Sequence, residues 1–239
     1  VTGASSGLGV AFAEALAEAG ADVVLAARRN AELAEVAARI AAATGRRARA
    51  ITADVSVVED CRRLVDDTVE ALGRIDILVN NAGVGSAVPA LKETPEQFRS
   101  VVDVNLHGTY WLSQAAARQM IDGGTIVNIA SVLGITTAGL PQAAYTASKA
   151  AVIGLTRDLA QQWAGRRGIR VNAIAPGYVR TEMTAVYDVS RLDTFAARTV
   201  VNRLGDPREI AATLVWLASD AASYVHGQTI CVDGGFTIT

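Results

Sequence analysis

Thr2-Gly-Ala-Ser-Ser-Gly-Leu-Gly9 follows directly on Val1, and the reading of this stretch decides the fold. Its glycines, Gly3, Gly7 and Gly9, lie between a residue that reads as the end of a strand and an alanine-rich amphipathic segment over 7–19. Glycine at such a junction admits positive φ and lets the backbone come close to a ligand. A helix starting near Gly7 turns its unpaired amides and positive end toward the loop, which suits a pyrophosphate. A tight bend alone can also demand glycine, so the loop needs support from the rest of the chain.

Moving outward, short β-branched runs alternate with longer amphipathic segments. Strands are expected over 22–27, 48–53, 75–80, 125–130, 169–173 and 229–232, with helices over 7–19, 31–44, 57–72, 95–120, 144–163 and 207–219. Strands that are apolar throughout imply a sheet covered on both faces. The alternation then predicts an α/β fold, a doubly wound parallel sheet of Rossmann-like form, as a single domain over 1–239. Ligands in such sheets bind beyond the carboxyl ends of the strands. Polar and glycine-rich residues gather there: AARR at 26–29, ADV at 53–55, NNAG at 80–83, Ser131, and PGYVRT at 176–181.

Composition narrows the function classes. With 239 residues, 51% hydrophobic and 19% charged, the chain can bury one sizeable core. Its 22 basic and 24 acidic residues leave no basic excess for a nucleic-acid partner. No apolar run is long enough to span a bilayer. Cys61 and Cys231 belong to no CxxC pair and His107 and His226 are the only histidines, so no metal site is expected. Both thiols are expected to be buried or partly buried in a reducing cytoplasm. Val1 reads as a strand end, with a few residues ahead of it expected to be absent from the sequence.

A dinucleotide site also needs a group at the end of the second strand to hold the adenosine ribose. An acid there binds the ribose hydroxyls of NAD. Here the strand ends in Ala26-Ala27 and continues as Arg28-Arg29, with Asp22 at its other end and Glu32 in the next helix. Guanidinium suits a 2′-phosphate and an acid repels one, so NADP is expected rather than NAD.

Tyr145-Thr-Ala-Ser-Lys149 opens a helix, and the i to i+4 spacing puts Tyr145 and Lys149 on one face. A free phenol titrates near 10, and a neighbouring ammonium is expected to lower that value. Such a pair can protonate a developing alkoxide or accept a proton from an alcohol. Ser131, after the strand over 125–130, can bond the substrate oxygen. Asn105 interrupts the long fourth helix and can hold a water linking Lys149 to solvent. A sensor that binds a nucleotide without turnover would be expected to lack the tyrosine or the lysine, and both are present.

Together these residues resemble the short-chain dehydrogenase/reductase family in its compact single-domain form. TGASSGLG at 2–9 is similar to the family's TGxxxGxG loop, 80–83 to its NNAG motif, and Asn105, Ser131, Tyr145 and Lys149 to its catalytic tetrad. The resemblance implies an oxidoreductase moving a hydride between NADP(H) and a carbonyl or secondary alcohol. It implies Tyr145 as acid/base, Ser131 polarising the carbonyl, Lys149 on the nicotinamide ribose, and Asn105 holding a relay water. Asp54 and Val55 would flank the adenine, and Arg28 would take the 2′-phosphate, with Arg29 second. Gly3, Ser5, Ser6, Gly7, Leu8 and Gly9 would cradle the phosphates, with Asn81, Ala82 and Gly83 alongside. Pro176, Gly177, Val179 and Thr181 would hold the carboxamide. Family members are often tetramers joined partly through the helices that carry Asn105 and Tyr145.

Substrate choice is expected in the segment 182–203, read as a lid containing Met183, Val186, Tyr187 and Phe195. Val132, Leu133, Leu140 and Gln142 are expected to line the pocket too. This apolar lining suits a ketone or 3-oxoacyl thioester, with a polyol or secondary alcohol oxidised by NAD as the alternative.

Overall fold

The computed structural model describes residues 1–239 apart from Ser86, Met183 and Val186. Every paired strand runs parallel. β1 (Val23–Ala27) pairs with β2 (Ala48–Thr52), while β3 (Ile77–Asn80), β4 (Gly124–Ile129), β5 (Ile169–Pro176) and β6 (Thr229–Val232) pair in that order. The two ladders meet across Val1 and Thr2. Thr2 bridges to Ala26 on one side and donates its amide to the Val79 carbonyl at 3.0 Å on the other. Beyond Val1, toward the amino ends of the strands, β1 and β3 flank a cavity of about 320 Å³ lined by Val23, Val24, Ile77 and Leu78.

Alternation along each strand feeds two cores, as expected for apolar strands in a covered sheet. Val23 and Leu25 of β1, Val79 of β3 and Val127 of β4 face one core. That core is completed by α1 (Gly7–Glu18), α2 (Asn30–Thr44) and α8 (Pro207–Ala218), through Phe12, Leu33 and Leu214. Val24, Ala26, Leu78 and Ile126 face the other, against α3 (Val58–Leu72), α5 (Gly108–Gln119) and α6 (Ala143–Arg167). This is the doubly wound parallel sheet the alternation predicts. No described helix is long and apolar enough to cross a membrane.

Three local expectations change. The helix expected over 95–120 is α4 (Pro95–Val102), one wider π turn over Asp103–His107, then α5. Asn105 sits in that turn, where the widened backbone lets its buried side chain reach a neighbouring loop. A further helix, α7 (Val189–Ala197), forms within the segment read as a lid and starts at Asp188, whose carboxylate accepts from the Arg191 amide at 2.8 Å. Cys61 is buried as expected, but Cys231 is exposed. Its strand, β6, is the sheet's outermost and lacks a covering neighbour on one side.

Candidate active site

The carboxyl ends of the strands border a cleft made of three adjoining cavities. The first, about 280 Å³, is lined by Gly3, Ser5, Ser6, Arg28, Arg29, Asp54, Val55, Ala82 and Gly83. Gly83 also borders the second, about 110 Å³, with Leu8, Asn81, Ser131, Tyr145, Lys149, Pro176, Gly177, Val179 and Thr181. Ser131, Tyr145 and Gly177 carry on into the third, about 250 Å³. Of the residues expected from sequence to hold the cofactor or carry the chemistry, Gly7, Gly9 and Asn105 line none of the three.

The glycine loop is built by close approach. A Cβ on Gly9 would lie 2.2 Å from the Gly3 carbonyl oxygen, and one on Gly3, at φ +64°, would lie 2.8 Å from the Ala82 backbone. Thr2 locks the loop to the NNAG segment, its hydroxyl accepting from the Asn81 and Ala82 amides at 3.1 and 3.0 Å. Asn81 returns its side-chain amide to the Thr2 carbonyl at 2.8 Å. Ser6 precedes α1 in extended conformation without a side-chain cap, and the first turn of α1 carries no acid. Its amides are therefore free for an anion, the arrangement a dinucleotide pyrophosphate requires.

The two arginines differ. Arg29 is pinned over the loop, donating to Ser5 Oγ at 3.0 Å and Ser6 Oγ at 2.8 Å, with Glu32 and Glu182 at 3.7 and 3.8 Å. Arg28 stays more exposed, 4.0 Å from an Asp54 oxygen across the mouth of the first cavity. The other Asp54 oxygen accepts from the Ser56 amide and hydroxyl at 3.0 and 2.7 Å, which fixes the turn after β2.

At the centre, Ser131 ends the approach from β4 and accepts from the Leu133 amide at 3.1 Å. Lys149 is buried, donates to the Ile129 carbonyl at 2.7 Å, and holds its ammonium 5.7 Å from the centre of the Tyr145 ring. Burial brings Lys149 down to about 8. The expected lowering of Tyr145 does not occur. Burial raises the phenol above its ordinary value, and the hydrogen bond with Ser131 offsets only part of this. The ammonium points to the Ile129 carbonyl, and burial favours the protonated phenol of Tyr145. Asn105 gives both N–H groups away, to the Val84 carbonyl at 2.9 Å and Ser148 Oγ at 3.0 Å, and accepts the Val84 amide at 2.8 Å. A water on its side chain would have to use the remaining acceptor capacity of Oδ1.

The third cavity is lined by Ser131, Val132, Leu133, Gln142, Tyr145, Tyr178, Thr184 and Tyr187, with Gly85, Ala87 and Gly177. Leu140 does not reach it. Within 182–203, Tyr187 borders the cavity and Phe195 is buried against Tyr178, while Met183 and Val186 lie outside the described residues. Tyr178 and Thr184 were not singled out from sequence. The available signal for Tyr178 was its place directly after Pro176-Gly177, at the end of a strand whose neighbours already carried the site.

This geometry has close counterparts. The family model described as enoyl-(acyl carrier protein) reductase matches residues 3–237. Galactitol 2-dehydrogenase (L-tagatose-forming) of Cereibacter sphaeroides is 43% identical, over 100% of this chain and 94% of its own length. A short-chain type dehydrogenase/reductase from Mycobacterium marinum superposes with a TM-score of 0.95 at 39% identity, covering 100% of this chain and 94% of the other. A Beutenbergia cavernae protein assigned as an NAD(P) dependent gluconate 5-dehydrogenase, crystallised with NADP at low occupancy, gives 0.94 at 44% identity over 100% and 96%. A likeness that runs the whole length of the chain leaves no part of the cleft outside it. The chain belongs to the short-chain dehydrogenase/reductase family and is an oxidoreductase that moves a hydride between a nicotinamide cofactor and a carbonyl or alcohol.

Proposed function

We propose that the cofactor is NADP and that the substrate is a small carbonyl compound or its secondary alcohol. The observation that carries this reading is one cleft that starts at Arg28 and Arg29 and ends at Tyr145. No carboxylate stands at the end of β1, where one would bind ribose hydroxyls. Arg28, with Arg29 second, offers paired donors to a 2′-phosphate instead. The NADP in the Beutenbergia cavernae structure supports the same choice.

When bound, the reduced nicotinamide supplies the hydride. Tyr145, which burial keeps protonated, gives its proton to the carbonyl oxygen as the alkoxide charge develops. Ser131 bonds the same oxygen and orients it. Lys149 binds the nicotinamide ribose and, at about 8, exchanges a proton near neutral pH to restore Tyr145. Asn105 holds the adjoining wall through Val84 and Ser148 and steadies a relay water. In the oxidising direction Tyr145 first passes its proton through Lys149 to solvent; the phenolate then takes the alcohol's hydroxyl proton, and the alcohol carbon's hydride would go to the oxidised cofactor as the C–O bond becomes C=O.

The third cavity, about 250 Å³, falls below the usual range for drug-sized ligands and favours a short substrate. The segment 182–203 forms its lid. A homotetramer joined partly through α5 and α6 in the cytoplasm completes the reading, and sedimentation as a monomer would remove the tetramer. Cofactor choice is tested by measuring kcat/KM for NADPH and NADH on one carbonyl panel. A preference for NADPH of about tenfold or more is expected, and equal values would overturn it.

A further inference from the structure

Two residues that line the third cavity, Gln142 and Tyr178, each carry a polar atom without a partner among the described residues. Gln142 Oε1 and the Tyr178 hydroxyl are both enclosed, and neither has a hydrogen bond among the described residues. Enclosed polar groups are satisfied in the great majority of cases, so such a pair beside a cavity points to its occupant.

Neither group is needed by its own element. Gln142 stands at the start of α6, yet its side chain makes no capping bond, and only its backbone carbonyl is used, by the Thr146 amide. The Tyr178 ring stacks on Phe195 at 3.7 Å between centroids and meets Phe236 edge-on at 5.6 Å. A phenylalanine would meet the same packing demand, so the hydroxyl is surplus to the fold. Burial and the nearby phenols of Tyr187 and Tyr145 raise its titration strongly, and it therefore stays a donor.

We propose that Gln142 and Tyr178 are specificity residues that select a polyhydroxylated carbon chain: a polyol in the oxidising direction, a hydroxyketone in the reducing one. The inference rests on the hydride-transfer reading above. Ser131 and Tyr145 take the oxygen on the reacting carbon. A hydroxyl on a neighbouring carbon brings a proton for Gln142 Oε1 and a lone pair for the Tyr178 hydroxyl. A 3-oxoacyl thioester brings carbonyl acceptors but no donor, and would leave Gln142 Oε1 unpaired. Sites built to bond a substrate hydroxyl reject the analogue that lacks it far more strongly than apolar pockets reject an added group.

The test compares polyols (galactitol, D-mannitol, D-glucitol, xylitol and ribitol) with 2-hexanol and 2-pentanol, using both oxidised cofactors. The alkanols keep a secondary alcohol and the chain length but lack the other hydroxyls. Wild type is expected to favour its best polyol by about a hundredfold or more in kcat/KM. Gln142→Leu and Tyr178→Phe should each lower kcat/KM about tenfold more on the polyol than on the alkanols, with the cofactor Kd within about twofold. Calorimetric titration of the polyol into the cofactor complex of Tyr145→Phe should show a similar loss as weaker binding, independently of turnover. Gln142→Met is the second variant if the leucine form folds poorly.

Equal losses on both substrate classes would assign the two residues a packing role and overturn the proposal. A wild-type preference for the alkanols or for a 3-oxoacyl thioester would leave water as the partner of both atoms and overturn it as well. Turnover of no alcohol and no carbonyl, with cofactor bound, would overturn the hydride-transfer reading and this inference with it.

Discussion

The two ends of the cleft are built on different principles. At the glycine-loop end the ligand-facing groups are backbone amides and two exposed guanidiniums, with spacing set by Gly3 and Gly9. At the far end they are side chains drawn from β4, α6, the loop after β5 and the segment before α7, and the central lysine and serine are buried. One end binds charge where water still screens it. The other places phenol, hydroxyl and ammonium where screening is weak and each hydrogen bond counts for more. A substitution should therefore act strongly and selectively at the buried end, and moderately at the exposed one.

The sharpest break in that comparison comes from Tyr145→Phe. Loss of the proton donor should lower kcat about a thousandfold, within the usual range for acid–base catalysis. Cofactor Kd, read by fluorescence titration, should stay within about twofold, because the phosphates and adenosine are held at the other end. Substantial residual turnover would remove Tyr145 as the acid, and a large change in cofactor Kd would deny that the ends are separable.

The buried lysine supplies the next effect. Folded Lys149 titrates at about 8, whereas an ordinary lysine titrates near 10.5, so between these values the unfolded chain binds more protons. Wild-type stability should accordingly rise relative to Lys149→Met as pH climbs through that window, by no more than about 3 kcal/mol. Urea unfolding of both proteins from pH 7 to 10.5 reads the difference. Parallel curves would mean that the ammonium is solvated in solution.

The smallest effect belongs to the exposed end. Arg28→Asp should shift cofactor preference from NADPH toward NADH by about thirtyfold, since the site is open and Arg29 remains over the loop. Unchanged kinetics on both cofactors would transfer the phosphate to Arg29, and the matching Arg29→Ala variant would then carry the shift.

Much of the exposed end was legible because its information is local. Gly3, Gly7 and Gly9 mark a strand–helix turn by spacing alone, and Arg28-Arg29 directly follow β1. The i to i+4 step from Tyr145 to Lys149 is equally local, and it correctly put both on one face of α6. The direction of the Lys149 ammonium was not legible. It depends on the Ile129 carbonyl, twenty residues away, just as the direction of the Tyr145 shift depends on the burial that packing imposes. Asn105 was recognised as a misfit in a helix, but the π turn and its bonds to Val84 and Ser148 appear only when three segments pack together.

The sequence by itself determined the parallel sheet, the glycine turn, the pairing of Tyr145 with Lys149 and the two arginines at the end of β1. Each depends on periodicity or on the backbone needs of neighbouring residues, and both can be read along the chain. Only the tertiary structure decided that the largely apolar substrate cavity also has beside it two polar atoms, on Gln142 and Tyr178, without partners among the described residues. Whether Gln142 and Tyr178 find partners depends on residues far away in the chain, and burial makes that question energetically decisive.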